Sequence, residues 1–390
     1  MSATPLTGPA PMRWRVESWD PGYGASTEDQ AELGRSTAQV ATDLELPEAR
    51  WRPVDPDPAA AGWAAVLFVD GVRRIDAMAW ISEPAGSGPG GTHGSGSGGT
   101  HGGGSGGPDG GTGGGSAEDG DGSAASLALC ASYAAGVVCC RPGAAHLLAA
   151  EVRRGLFSTA EHATDVVTPA GRYRRVHTPA RGEPAADLSL AVQRALGDVE
   201  GAVAAQARTG TGSAGATASA GGATAAGAAH ATGTGAAAAA EGEDLLVVDG
   251  PLRGRQHLPR AIGFIKTHRS EYLPAALHRV VGRLAPGQRT PVFGLGTSWQ
   301  RHSWYLKLPG SPAPWAGVVR VECPAELSLA QVVDLADRSA PMLCRYASTE
   351  YKDARAPQNL YPIGGLEREL RRRLGDQKLL YRAIRRASAG

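Results

Sequence analysis

The chain has 390 residues, a formal net charge of +1 and only 5% aromatic residues. That length allows two average domains, but two stretches nearly free of large apolar side chains cannot contribute to a core, which leaves material for one large domain. No segment reaches the roughly 18 uninterrupted apolar residues of a membrane span, the N-terminal residues carry no apolar leader segment, and five cysteines without C-x-x-C spacing exclude a disulfide scaffold or zinc ribbon and fit a reducing cytoplasm.

Residues 1–52 are polar and Pro-rich, with a short helical pattern at 28–43. The run AAVLFVDGVRRIDAMAWIS, residues 64–82, predicts two adjacent antiparallel strands joined by a tight Asp-Gly turn. Residues 85–123, dominated by Gly, Ser and Thr, are expected to be a disordered insertion, with His93 and His101 as solvated loop side chains. A third strand is predicted over residues 125–140.

Leu188, Val192, Leu196 and Val199 recur at helical spacing, so an amphipathic helix is predicted, with Glu200 near its end. It runs into a second expected disordered insertion, residues 207–241, made of Ala, Gly and Thr and carrying His230. The chain returns as EDLLVVDGPL, the pattern of a fully buried strand ending at Asp249 and Gly250. A strand in AIGFIKTH, a helix over 272–284, three strands in PVFGLGT, SWYLKL and AGVVRVEC, and helices at 328–338 and from about 365 complete the reading. Three strands, a helix, a buried fourth strand and then mixed elements are the order of an α/β, ribonuclease-H-like mixed sheet flanked by helices. A doubly wound sheet fits less well, because no helices separate the first three strands.

Charge is unevenly placed. Residues 245–390 hold 23 Lys/Arg against 11 Asp/Glu, leaving 16 against 27 in the rest. The C-terminal part is therefore expected to meet a polyanion, although solvated Arg-rich helices give the same count. Asp70 and Asp249 each follow an apolar strand and precede Gly; singly each reads as an ordinary turn, while together in this element order they read as ligands for hard divalent cations.

VDG near the start, VDGPL far downstream, IGFIKTHRSEYL and QNLYPIGGLEREL resemble the ordered blocks of the NurA nuclease family, whose core is similar to the Argonaute PIWI domain. The blocks cover about half the chain. The resemblance implies one NurA-like domain over residues 1–390: a Mn2+- or Mg2+-dependent DNA nuclease with a two-metal site, acting in DNA end processing and double-strand break repair as a homodimer beside a HerA-type hexameric ATPase. Asp70 matches the first metal-binding aspartate and Asp249 the later one. The expected helix glutamate is Glu200, with Glu183 in reserve. Lys266 matches a lysine that contacts the scissile phosphate, and His268 and Arg269 are its neighbours.

One feature departs from the family pattern: its C-terminal histidine after the Tyr-Pro block has no counterpart, since no histidine follows His302. Glu367 borders the buried face of that helix and is the expected substitute ligand, with Glu369 its competitor and an acidic first turn the plain structural alternative. Aromatic and basic residues interleave at 298–308 (Trp299, Trp304 and Tyr305 with Arg301, His302 and Lys307), a pattern that suits stacking on single-stranded DNA or an ordinary buried strand. The Arg-rich tail from Arg368 to Arg386 could hold a phosphate backbone or form a solvated helix face. The competing readings are an adaptor that keeps the fold and binds DNA or an ATPase without chemistry, and a PIWI-like module acting with a guide, for which the chain has no room for guide-holding domains.

Overall fold

The structure, a computed structural model, describes residues 12, 14–16, 34–35, 38–60, 62–82, 125–208, 244–267, 270–310, 315–349, 351 and 355–389. The insertion expected at 85–123, most of that at 207–241, and His268 and Arg269 lie outside the described residues.

Three short strands, β1 (Trp14–Val16), β2 (Gly34–Arg35) and β3 (Gln39–Ala41), precede the core. The core opens with three antiparallel strands, two of them very long: β4 (Ala65–Ser82), β5 (Ala125–Arg141) and β6 (Ala144–Ser158). Edge strands β7 (Val166–Thr168) and β8 (Gly171–His177) follow, then helix α1 (Pro184–Arg208), then β9 (Asp244–Asp249) and β10 (Ala261–Ile265). After β11 (Ser270–Glu271) and α2 (Ala275–Val281) come β12 (Phe293–Gly296), β13 (Gln300–Lys307) and β14 (Val318–Pro324), and the described chain ends in α3 (Leu329–Tyr346), α4 (Tyr361–Arg373) and α5 (Gln377–Ala389).

One twelve-stranded mixed sheet runs β3-β12-β13-β14-β10-β9-β4-β5-β6-β8-β7, with β1 on β4. Its centre, β6-β5-β4-β9-β10, is antiparallel between the first three strands and parallel from β4 to β9 to β10. This is the ribonuclease-H-like order expected from the sequence: a meander, a helical crossover, then two parallel strands.

Alternation along the strands fills both faces of the sheet. Val66 and Phe68 of β4 and Leu245 and Val247 of β9 pack with Val332, Leu335 and Ala336 of α3 and Ile363 of α4. The intervening Leu67, Val69, Leu246 and Val248 pack with Leu188, Val192, Leu196 and Val199 of α1. The helical spacing predicted for α1 thus corresponds to its buried stripe.

Three local expectations are corrected. There is no turn at Asp70-Gly71; the backbone continues as one strand through both, paired to Gly136 and Ala135 of β5. Two strands were expected because Asp-Gly marks turns, but here the glycine serves packing: a Cβ on Gly71 would lie 2.5 Å from Glu200 Oε1 and 2.6 Å from Leu196 Cδ1. Residues 39–41, within the expected N-terminal helix, pair with β12 as an edge strand. The last helical stretch starts at Tyr361 and is two helices, divided at Gly375, whose φ of 85° suits glycine. Of the two readings of residues 298–308, the buried strand is the one found: Trp304 and Tyr305 are enclosed in the core, because β13 is an interior strand covered on both faces, so they cannot serve as a stacking surface.

Both insertions leave and return at joined points. Ser82 pairs with Ala125 at the end of the β4–β5 ladder. Arg208, closing α1, contacts Asp244, opening β9, at 2.5 Å, and its Nη2 donates to Arg260 O at 2.8 Å. Loop-closure entropy grows only with the logarithm of length, so replacing either insertion by a short turn is expected to leave thermal stability unchanged or raise it by up to roughly 2 kcal/mol. A fall in the unfolding midpoint of such a deletion variant would show that an insertion contributes to the core.

Candidate functional site

Val69 pairs with Val248 across parallel β4 and β9, so the next residues, Asp70 and Asp249, sit on neighbouring strands about one strand spacing apart. Alternation sends both side chains to the α3/α4 face: Phe68 and Val72 flank Asp70 on that face, where Val72 packs with Leu366 and Leu370 of α4. Opposite Asp70, Gly136 lets α4 approach; a Cβ there would lie 2.9 Å from Ala149 O and 3.2 Å from both Leu366 and Leu370. Glu367, on the buried stripe of α4, is thereby brought over the two aspartates. Carboxylate oxygens of Asp70, Asp249 and Glu367 all lie within 4.8 Å of one another, with Asp70 7% and Glu367 6% exposed.

Lys266, just past β10, places its Nζ 2.6 Å from Asp249 Oδ2 and donates to Asn359 Oδ1 at 3.0 Å. Arg355 grips Glu367 with two hydrogen bonds of 3.0 and 2.6 Å, and Arg371 lies 3.5 Å from it. Gln358 donates to Lys266 O at 3.1 Å, tying the 355–360 segment to the end of β10.

Burial first, then the facing Asp249, pushes the Asp70 carboxyl well above the usual carboxylate range, against the pull of Lys266. Burial also raises Asp249, which Lys266 and its hydrogen bond partly offset. Among the described residues nothing donates to the buried Asp70 Oδ2. An acceptor-only oxygen left without a partner costs free energy unless a cation or proton meets it. The orphaned oxygen and two further carboxylates form a hard oxygen donor set, so these residues fit a divalent cation.

Glu200 stands elsewhere. It belongs to α1, on the opposite face of the sheet, where it reaches the backbone gap at Gly71 and pairs with Arg255. Glu183 caps α1 by accepting from the backbone N–H of Ala185 and Ala186. Glu369 is held by Arg372 and Arg373, whose hydrogen bonds draw its carboxyl below the usual range. Sequence reasoning missed Arg355, Gln358, Asn359 and Gly136. The QN pair preceding LYP lay in plain view, but side-chain amides before a helix are commonplace and carry no spacing signal.

A mixed sheet of this strand order, with carboxylates on the two adjoining central strands and a third on a covering helix, defines a ribonuclease-H-like α/β protein with an acidic, cation-fitting site. Residues 233–363 match the family model of the NurA domain, which bears out the resemblance read from the sequence over about a third of the chain. The match includes Asp249, Lys266, Arg355 and Asn359, and lies between Asp70 and Glu367. Among solved structures, the NurA nuclease from Sulfolobus solfataricus is similar at 8% identity and a TM-score of 0.39, over 86% of this chain and 88% of that one. A comparison with curated proteins found no match.

Proposed function

We propose that the chain is a nuclease that hydrolyses phosphodiester bonds in DNA with Mn2+ or Mg2+. The observation that supports it most is the convergence of Asp70, Asp249 and Glu367 beside Lys266 on one face of the sheet. Asp70, Asp249 and Glu367 are the residues that would hold a cation, which when bound supplies Lewis-acid charge to activate a water and offset charge on the phosphate. Glu200, across the sheet, does not join them, so a two-ion site would draw its remaining ligands from the substrate phosphate.

Lys266 is fixed by Asp249 and Asn359, so its ammonium is positioned to offset charge developing on a phosphate without a search through rotamers. Arg355 orients Glu367 and offsets its charge, reducing the repulsion among the three clustered carboxylates. Apolar Phe68, Val72 and Leu366 surround the carboxylates and strengthen these electrostatic effects by excluding water.

The same reading places the protein in the cytoplasm, where its five cysteines, all free, would stay reduced. It also carries the homodimer and the HerA-type ATPase partner implied by the family, and a role in DNA end processing and double-strand break repair. Among the described residues no helix is long and apolar enough to cross a membrane.

One observation favours the adaptor instead: Lys266 and Arg355 already pair with Asp249 and Glu367, so an ion-free site is partly satisfied. Calorimetric titration with manganese, together with degradation of end-labelled linear DNA, separates the two. The nuclease reading expects binding and manganese-dependent degradation, both lost in Asp249→Asn. No binding at millimolar metal, with intact DNA throughout, would establish the adaptor.

A further inference from the structure

Beyond the acidic trio, β4 leads along the same face of the sheet to a second site. Asp70, Val72 and Arg74 alternate on that face, and a register shift between Ile75 and Ala77 brings Asp76 beside Arg74 and Ser132 on the same side. Val72 meets α4, and Arg74 donates to Gly375 O at 2.9 Å where α4 gives way to α5. Asp76 then forms the floor of a pocket of about 480 Å³ whose wall is α5. Helix α5 is anchored by buried Leu380 and Ile384, the latter packed with Ala77, Ala79 and Ile81 of β4.

Lys378, Arg382, Arg385 and Arg386 line this pocket at spacings of four, seven and eight residues, one face of a helix. All four are exposed, and among the described residues none has a carboxylate partner. The contrast with α4 is informative: Arg371, Arg372 and Arg373 are engaged by Glu367 and Glu369. Asp76 does not neutralise the set, because its carboxylate is already held by Arg74, Ser132 and Tyr173. Tyr381 completes the wall, with the Arg385 guanidinium 5.9 Å from its ring centroid.

Four cations along one stripe beside an aromatic ring, in a pocket of nucleotide size, match a chain of phosphates carrying flat bases. We propose that this pocket is a second nucleic-acid contact, which holds the sugar-phosphate backbone of a single DNA strand away from the acidic trio. Six residues of strand separate Asp76 from Asp70, so the two sites lie roughly 20 Å apart. At roughly 3.4 Å per phosphate of a stacked strand that is about six nucleotides, the length a strand needs to reach from the pocket to the acidic trio. That six-nucleotide span rests on the nuclease reading; binding at the four cations does not.

The test uses the full chain in EDTA and fluorescence anisotropy with single-stranded DNA of about 20 and about 4 nucleotides. The wild type is expected to bind the longer strand at least about a hundred-fold more tightly at low salt. The variant Lys378→Gln/Arg382→Gln/Arg385→Gln/Arg386→Gln, altered only at exposed positions, should lose most of that difference. Its salt dependence should flatten by about 0.7 in log–log slope per cation removed. Arg382→Lys, which keeps the charge, should bind like wild type and so separates charge from folding.

Unchanged affinity and slope in the quadruple variant would overturn the proposal. So would unaltered DNA binding alongside lost binding to vesicles of anionic phospholipid. If manganese-dependent hydrolysis is absent from every form while the quadruple variant still loses DNA affinity, the nuclease reading fails and the pocket stands. If hydrolysis occurs and strand affinity ignores the four cations, only the pocket falls.

Discussion

Asp70→Asn is expected to lower manganese-dependent DNA hydrolysis by about a thousand-fold or more, the equivalent of roughly 4 kcal/mol in the barrier. The same substitution should raise the stability of the metal-free protein. Asp70 is buried, its carboxyl is pushed up by burial and by Asp249, and its Oδ2 has no donor among the described residues. An acid whose folded-state pKa lies above its unfolded value of about 3.9 holds more protons when folded, so stability falls as pH rises through that interval and stays lost above it. Asparagine carries no such cost.

Thermal unfolding in EDTA at neutral pH should therefore give a higher midpoint for Asp70→Asn than for wild type, with the gap closing below about pH 4. Manganese should reverse the order, stabilising the wild type and leaving the variant unmoved. A variant less stable than wild type without metal, or equally stabilised by manganese, would contradict the site's electrostatics.

The largest effect on stability alone is expected at Asp76. It is wholly buried and accepts from Arg74 Nε at 2.8 Å, Tyr173 Oη at 2.9 Å and Ser132 Oγ. Burial and the adjacent Asp76 push the Tyr173 hydroxyl up, which keeps it a donor. Asp76→Ala leaves two buried hydroxyls and the Nε–H of Arg74 without their acceptor, and is expected to cost about 3–5 kcal/mol. For a domain of this size that lowers the unfolding midpoint by roughly 10 °C. Urea denaturation measures it directly, and a loss under about 1 kcal/mol would mean that water or neighbouring donors replace the network.

The sheet was legible in the sequence where local pattern is strong. LLVVD read as a strand buried on both faces, and the four residues of α1 at helical spacing are its core stripe. Asp70 and Asp249 were visible because each follows an apolar strand, whereas Glu367 was singled out by the family resemblance, as the substitute for a histidine that the chain lacks. Glu200 misled: it is buried beside the core, but the sheet stands between it and the trio. Sequence spacing locates a residue on its helix without saying which face of the sheet that helix covers.

Local pattern by itself determined the buried strands, the principal helices, the charge asymmetry and the acidic residue types. Tertiary structure alone decided three things. Asp70-Gly71 lies inside a strand because α1 needs the space at Gly71. Glu367 rather than Glu369 joins the aspartates because α4 packs its Leu366 and Leu370 stripe over Gly136. The basic residues split into those paired on α4 and those left open on α5. Secondary structure follows from neighbours in the chain, whereas partnership between charges depends on distances that only the packed sheet and helices set.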